Sequence, residues 1–351
     1  MERRLFHLLF AFGILFSLAA CQHYEPNPIK PAEERKVLLV NGIADIYDLS
    51  GETVTTLPDC KSISQIILEG SDYFVAGSNT KGRVGYWKNG KWNTLHVDFK
   101  DEVDSKIYGI AKWDCYIYLL KNKYVLKNSG IFRLKDADNF TPARHGISAA
   151  GGACYVVGDE LVETPVRARV PVMYYEHKGE YVSERLALPD GVHSGEAHGV
   201  FAYGDKHVLV GGFVGREPAI WVDKQLQILP RSFDVNRDFT TSFNGTVDAV
   251  TYIDGHNYAL GSEYYDEEHQ IATVWCDGVP KYHLKSTDDN FVSSEVMDIQ
   301  AYGNDLYVLT MEYTLVDKGD YSYEMMSSVL WMNDKVLGVI KYKGMISFAV
   351  Y

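Results

Sequence analysis

SISQIILEG (62–70), SDYFVAGS (71–78), RVGYWKNG (83–90) and KWNTL (91–95) follow one another as short apolar stretches separated by turn residues. Their apolar patterns, bounded by Gly and Asn, predict four antiparallel strands that form one small sheet. The third stretch carries an aromatic residue followed by a turn, and this motif, which we call the repeated phrase, recurs along the rest of the chain. Its aromatic residues recur every 40 to 56 residues and are Tyr47, Trp87, Phe132, Tyr175, Trp221, Trp275 and Trp331.

A repeat of this length that carries strands rather than helices is typical of a β-propeller, whose blades are four-stranded sheets. Seven copies predict an all-β, seven-bladed β-propeller of four-stranded antiparallel blades. The first copy, from Lys36, has only three strands, while an apolar segment, ISFAVY (346–351), ends the chain. We therefore expect residues 36–351 to form one domain, in which the C-terminal strand completes the N-terminal blade and covers its edge.

The composition fits a globular protein and argues against nucleic-acid binding. Hydrophobic residues make up 46% and charged residues 23% of the 351 residues, a balance that supports an apolar core. The net charge of −13 opposes binding to DNA or RNA, which depends on clustered Lys and Arg. Four cysteines of the predicted propeller are interpreted as buried free thiols, with one disulfide as the alternative. They are Cys60, Cys115, Cys154 and Cys276.

The N-terminus carries an export signal. Residues 1–20 begin with basic side chains, continue as an apolar run shorter than a membrane span, and end in Leu-Ala-Ala before Cys21. This ending resembles the lipobox of bacterial lipoproteins, which implies removal of residues 1–20 and acylation of Cys21. An ordinary signal peptide followed by a chance cysteine is the alternative.

Residues 21–35 are polar and contain three prolines, which predicts a flexible tether. Acyl chains on Cys21 would hold the protein on a membrane without a spanning segment. Gln22 stands where an aspartate would favour the inner membrane in enteric bacteria. The sequence therefore predicts a lipid-anchored protein of the bacterial cell envelope, at the outer membrane, and leaves the leaflet open.

The first strand of each blade is expected to line the central channel, beginning at the face where the longer connections gather. We align these strands on a pair of residues that they share, a small residue followed by an aliphatic one. The alignment places polar residues around the channel mouth. They are Tyr108, His145, His198 and Asp248, with Asp298 one step further along. These residues fit a polar-ligand site, a metal site, or a channel mouth that is merely hydrated. The three interpretations stay open, and no metal ion or cofactor is assigned.

Connections between second and third strands are expected to be long loops in four blades. They are KNKYVLKNSG (121–130), GDELVETPVRARVP (158–171), SEYYDEEHQ (262–270) and TMEYTLVDKGDYSYEMMSS (310–328). Loops on one side of a rigid scaffold commonly carry function. The last two place exposed tyrosines among acidic residues, which suits a glycan or a protein partner, unless the loops are simply solvated. These tyrosines are Tyr264, Tyr265, Tyr313 and Tyr321.

Motifs of known catalytic sites do not appear in the sequence. HSGEAH (193–198) is similar to an inverted zinc-protease motif, but its Glu-to-His spacing is too long and it enters a strand rather than a helix. A glycosidase or lyase on a propeller needs only two carboxylates, or a carboxylate and a base, that the fold brings together. The candidate carboxylates are Glu196, Asp248, Glu295 and Asp298.

The repeat resembles kelch-like and galactose-oxidase-like propeller repeats. The resemblance rests on a glycine after the first strand, a tryptophan before a turn, and the double glycines Gly151-Gly152 and Gly211-Gly212. It implies a fold and not an activity. We predict a binding or scaffolding protein of the bacterial envelope that holds a glycan or an envelope protein on its long-loop face. The alternative is an enzyme that cleaves a polysaccharide at the channel mouth.

Overall fold

A computed structural model describes residues 35–95, 106–128, 130–163, 167–204, 207–233, 244–266, 268–285, 288, 290–318, 322–341 and 343–351. Within these ranges the chain forms seven four-stranded antiparallel sheets and no helix. It follows that none of the described segments is a helix long and apolar enough to cross a membrane. The predicted signal peptide, Cys21, the tether up to residue 34 and Tyr321 lie outside the described residues.

Each sheet is one blade, and its four strands follow one another from the channel outwards. Blade 1 has β28 (Ser347–Val350), β1 (Val37–Val40), β2 (Asp45–Tyr47) and β3 (Thr53–Thr56). Blades 2 and 3 have β4 (Cys60–Glu69), β5 (Asp72–Asn79), β6 (Val84–Lys88) and β7 (Lys91–Thr94), then β8 (Gly109–Trp113), β9 (Tyr116–Lys121), β10 (Tyr124–Lys127) and β11 (Gly130–Arg133).

The remaining blades have the same order. Blades 4 and 5 have β12 (Phe140–Ala150), β13 (Ala153–Val162), β14 (Ala168–His177) and β15 (Glu180–Arg185), then β16 (Gly195–Tyr203), β17 (His207–Val214), β18 (Glu217–Val222) and β19 (Gln225–Ile228). Blades 6 and 7 have β20 (Gly245–Ile253), β21 (His256–Tyr264), β22 (Gln270–Cys276) and β23 (Val279–Leu284), then β24 (Phe291–Tyr302), β25 (Asp305–Asp317), β26 (Ser322–Met332) and β27 (Lys335–Lys341).

The sheets close into a ring because each innermost strand packs against the next. The seam lies in blade 1, where β28 pairs antiparallel with β1 and Val37 lies opposite Val350. Backbone bonds extend the pairing by one residue, since Lys36 N–H donates to the Tyr351 carbonyl at 2.8 Å. Phe348, at the centre of β28, has no exposed surface. The predicted seven-bladed β-propeller, closed by its C-terminal strand, is confirmed.

Tryptophans of the repeated phrase form the core between blades. Trp87, Trp221 and Trp275 are fully buried, and each indole N–H donates to a carbonyl in the connection that leads into its own blade. The three acceptors, at 2.9–3.1 Å, are Pro58, Ala187 and Pro230. A buried indole N–H needs such a partner, so each tryptophan also fixes the path of the incoming chain.

The aromatic residue that the sequence predicted for the repeat is wrong in two blades. Phe132 lies in the outermost strand β11, because KNKYVLKNSG (121–130) is not a loop but contains the short third strand β10. Asn122 and Asn128 adopt left-handed φ values of 45° and 49°, which lets tight turns flank this strand without glycine. In blade 4 the fully buried ring is Tyr174, whereas its neighbour Tyr175 is half-buried.

The other connections predicted as long loops are largely paired strands. In blade 7, β25 and β26 stay in register from Tyr307 opposite Met332 as far as Asp317 opposite Ser322. Alternation of apolar and polar residues along this segment explains why the hairpin continues. We call the face at which the first strands begin the entry face, and the face at which they turn into the second strands the exit face. The entry face therefore carries hairpin arms rather than irregular loops.

Candidate functional site

A β-bulge recurs near the entry end of the first strand in five blades. At this bulge the regular pairing skips a single residue in four blades, namely Ser64, His198, Asp248 and Met297, and skips residues 143–146 in blade 4. Blades 2 and 7 have a second skipped residue nearer the start of the strand, Lys61 and Val292. A bulge leaves the extra residue unpaired and redirects its side chain. The predicted row of equivalent positions is thus visible in the structure for His145, His198 and Asp248. Tyr108 differs, because its N–H pairs regularly with the Leu120 carbonyl at 2.8 Å.

The bulges of blades 5 and 6 bring three ionisable side chains into contact, which we call the charge cluster: Glu196, His198 and Asp248. Nδ1 of His198 lies 3.0 Å from Oδ1 of Asp248, and Nε2 lies 3.3 Å from Oε2 of Glu196. The hydroxyl of Thr246 lies 3.1 Å from the same Nδ1. The ring of Phe213 meets the imidazole edge-on, with 5.6 Å between centroids. Side-chain exposures of 26–30% leave the cluster open to a ligand.

The two carboxylates keep His198 charged. Burial alone would lower the pKa of His198, but hydrogen bonds and charge from Asp248 and Glu196 outweigh it and raise the pKa from 6.5 to about 10. The hydrogen bond from His198 in turn lowers the pKa of Glu196, against the opposing effect of burial. At neutral pH the cluster is an imidazolium with each N–H directed to a different carboxylate. The donor atoms therefore face one another and do not converge on one point, as metal ligands would.

Blade 4 extends the charge cluster through Arg169. Its guanidinium bonds the carboxylate of Asp159, lies 3.8 Å from Oε1 of Glu196, and donates to the Thr141 hydroxyl at 3.2 Å. Burial raises the pKa of Asp159, and the charge of Glu196 adds to this, while Arg169 opposes it. Asp159 and Glu196 thus share one arginine, yet their pKa values move in opposite directions.

The pKa of His198 predicts a pH-dependent contribution to stability. A group whose pKa is raised on folding stabilises fully below its unfolded pKa, here 6.5, and this stabilisation is lost as pH rises towards about 10. The Tm of the wild type should therefore exceed that of His198→Asn most at about pH 6, with the margin shrinking by about pH 10. Thermal unfolding followed by circular dichroism measures this. His177→Asn, at the exposed end of β14, is the control. A margin that does not change with pH would contradict the assignment.

His145 behaves differently from His198, although both lie at bulges. Its Nε2–H donates to the Met297 carbonyl at 2.9 Å, and burial lowers its pKa despite Asp298, so the ring is neutral. The neighbouring Arg144 donates to the Ile346 carbonyl at 2.8 Å, which links blade 4 to the closing segment across the channel. Arg144 and His145 thus narrow the channel beneath its mouth.

Asp298, a predicted ligand-binding residue, belongs to the ring closure. Its carboxylate is buried and accepts hydrogen bonds from the Ser347 hydroxyl at 2.6 Å and from the N–H groups of Phe348 and Ile299 at 3.3 and 2.8 Å. Three donors leave little capacity for a ligand. The structure therefore places Asp298 against the closing strand β28, where blade 7 meets blade 1, and apart from the charge cluster.

A cavity of about 890 Å³ fills the channel from His145 and Asp298 towards the exit face. Its walls are mainly the aliphatic side chains of the first strands, with polar groups such as Gln65, Lys112 and Gln300 between them. The described residues that line it do not include those of the charge cluster. The cluster therefore forms a separate site at the mouth of the channel.

Three of the predicted tyrosines, Tyr264, Tyr265 and Tyr313, are half-buried rather than exposed. The hydroxyl of Tyr265 bonds the Val292 carbonyl, and its ring stacks on His269 at 6.1 Å. Tyr313 lies within β25 and directs its hydroxyl to the sulfur of Met311 at 3.5 Å. Tyr264 ends β21, where its N–H donates to the Asn244 carbonyl at 3.1 Å. The Tyr265 hydrogen bond joins blade 6 to blade 7, and the other contacts lie within one blade. Together they leave less aromatic surface for a partner than the sequence predicted.

Comparisons with known proteins concern the fold alone. No protein-family model and no curated protein matches the chain. Among solved structures, apo AztD from Citrobacter koseri has 12% sequence identity and a TM-score of 0.45, covering 90% of this chain and 98% of that protein. Dihydro-heme d1 dehydrogenase NirN has 10% identity and a TM-score of 0.48, covering 94% and 78%. A subtype N11 neuraminidase-like protein (H18N11) has 10% identity and a TM-score of 0.45, covering 84% and 95%.

Proposed function

We propose that this chain is a binding protein that holds a glycan at the entry-face mouth of its channel. The charge cluster carries the proposal. Both imidazolium N–H groups point to carboxylates, which fixes Glu196 and Asp248 in place. Arg169 lies 3.8 Å from Oε1 of Glu196 and the Thr246 hydroxyl 3.4 Å from Oδ1 of Asp248, and each carboxylate keeps further lone pairs that can accept from other donors. Sugar hydroxyls are donors of this kind. The Phe213 ring beside the imidazole adds an apolar surface on which a sugar ring can pack.

The position of the protein in the cell is part of the proposal. Cleavage before Cys21 and acylation of that cysteine would place the propeller on the outer membrane of a bacterial envelope, with residues 21–35 as the tether. Arg35, the last residue of this segment, is already bound to blade 7 through Asp305 and the Tyr307 hydroxyl at 2.5 and 2.7 Å. The tether would thus leave the ring beside blade 7.

A glycan-cleaving enzyme is the second candidate, favoured by one observation. Asp159 has a raised pKa and Glu196 a lowered one, and such a split between two carboxylates is what a general acid and its partner need. A mechanism that used His198 as the general base is disfavoured, because a histidine that stays charged at neutral pH cannot accept a proton.

A panel of polysaccharides distinguishes the two functions. We expect the full chain to retain at least one polysaccharide without releasing products, and Glu196→Gln and Asp248→Asn each to raise its Kd about tenfold, the value of one charge-assisted hydrogen bond. His207→Asn is the matched control, since it removes a His–Asp pair on the exit face. Product release that Asp159→Asn abolishes would establish the enzyme instead. Retention unaffected by either cluster variant would refute the proposed site.

A further inference from the structure

A second cluster of polar side chains lies on the exit face of blade 6, at the far end of the blade from Asp248. His256 begins β21, Cys276 ends β22, and Asp277 follows in the turn. One ligand atom from each lies within 4.8 Å of the others. We infer that His256, Cys276 and Asp277 form a binding site for a divalent transition-metal ion such as Zn²⁺.

The chemistry of the three groups suits zinc. Imidazole nitrogen, thiolate sulfur and carboxylate oxygen are the ligand types that zinc takes from proteins, and three of them leave a fourth position for water. Nδ1 of His256 lies only 2.6 Å from Oδ2 of Asp277, so the two atoms face the same small volume. The other oxygen, Oδ1, accepts the Asn257 N–H at 2.9 Å and holds the carboxylate in this orientation. On binding, His256 coordinates through Nδ1 as the neutral tautomer that carries its proton on Nε2, and the Cys276 thiol releases its proton to solvent.

Blade 5 contains two of the three groups and lacks the cysteine. His207 and Asp223 form the same pair there at 2.9 Å, and the Asp223 carboxylate accepts the Val208 N–H in the same way. The His–Asp pair thus belongs to the architecture of the turn in both blades. Val222 stands where blade 6 has Cys276, so blade 5 lacks the third ligand. The molecule therefore contains its own two-ligand control.

Nearby charges and the other thiols bear on the site. Lys281 donates to the Tyr258 hydroxyl at 3.0 Å and interacts electrostatically with Cys276. Its ammonium group would repel a bound metal ion, whereas the Cys276 thiolate and the Asp277 carboxylate would attract it. All four cysteines of the propeller are free, as the sequence favoured, although only Cys154 is buried. Cys115 is exposed and, among the described residues, does not belong to a group of three potential metal ligands.

Metal titration of the full chain tests the inference. We expect one equivalent of Zn²⁺ by calorimetry, and a sulfur-to-metal charge-transfer band when Co²⁺ is used as the probe. Cys276→Val, which copies blade 5, should lower the Zn²⁺ affinity at least tenfold and remove the band, whereas Cys115→Ser should change neither. Val222→Cys should add a second equivalent in blade 5.

Three results would overturn the inference. The first is a wild type that binds no Zn²⁺. The second is a Co²⁺ band that persists in Cys276→Val and vanishes in Cys115→Ser. The third is a Val222→Cys variant that still binds one equivalent, which would show that a thiol does not complete the His–Asp pair as a metal site. Circular dichroism of each variant confirms that it is folded, and valine is already accepted at this position in blade 5.

Discussion

Removal of residues 345–351 is expected to unfold the whole propeller rather than trim its end. These residues contain β28, the innermost strand of blade 1. Its loss would leave β1 unpaired on its inner side and remove the strand that the first strands of blades 2 and 7 pack against. Phe348 is fully buried, and the single change of this residue to Ala is expected to cost about 3–5 kcal/mol. Domains are stable by only about 5–15 kcal/mol, so loss of the entire strand should abolish cooperative unfolding.

Chemical denaturation of the truncated chain and of Phe348→Ala measures this effect. Val54→Ala is the control, because Val54 lies in the outermost strand of the same blade with 55% of its surface exposed, and it should change stability by no more than about 0.5 kcal/mol. A truncated chain with a wild-type unfolding transition would show that the ring does not depend on its closing strand.

Gly261→Ala is expected to cause the second large loss of stability, about 3 kcal/mol. A Cβ at this position would lie 1.7 Å from the Thr246 carbonyl oxygen and 2.7 Å from the Cα of Val247, and backbone atoms cannot move aside as a side chain can. Gly77, Gly158 and Gly212 have the same close approach beside the bulges of their own blades. The charge cluster thus depends on glycines of the second strands, which let the bulged first strands approach.

Denaturant unfolding of Gly261→Ala is best compared with Gly344→Ala. At Gly344 the added Cβ would meet only the flexible ends of Met326 and Met311, at 3.2 and 3.3 Å, so little stability should be lost. Equal stability of the two variants would contradict the steric argument. Binding by Gly261→Ala should also weaken if the variant folds, because the bulge that positions Asp248 lies directly opposite.

The sequence predicted the ring and its closure because both follow from counting. The first copy lacks one strand, the chain ends in one apolar strand, and β28 fills the gap with Val37 opposite Val350. The prediction failed in blade 3, where β10 has only four residues and its turns contain asparagine instead of glycine. Strands this short carry too few residues for periodicity to show.

The candidate site was predictable in part. Glu196 and His198, like Thr246 and Asp248, are two residues apart on one strand and thus share a face, and the small-then-aliphatic step aligned the two strands. Arg169 and Asp159 were missed, because their contact depends on the register of β13 with β14, which the sequence does not show. The sequence places Asp298 near the channel mouth in the same way as Asp248, and only the buried contacts of Asp298 with β28 reveal its structural role.

A crystal structure of the full chain with a retained oligosaccharide tests the central claim most directly. The proposed function predicts sugar hydroxyls within hydrogen-bonding distance of the Glu196 and Asp248 carboxylates, with a ring of the glycan against Phe213. An oligosaccharide bound on the hairpin arm at Tyr264 and Tyr265, or inside the channel cavity, with the charge cluster unoccupied, would contradict it.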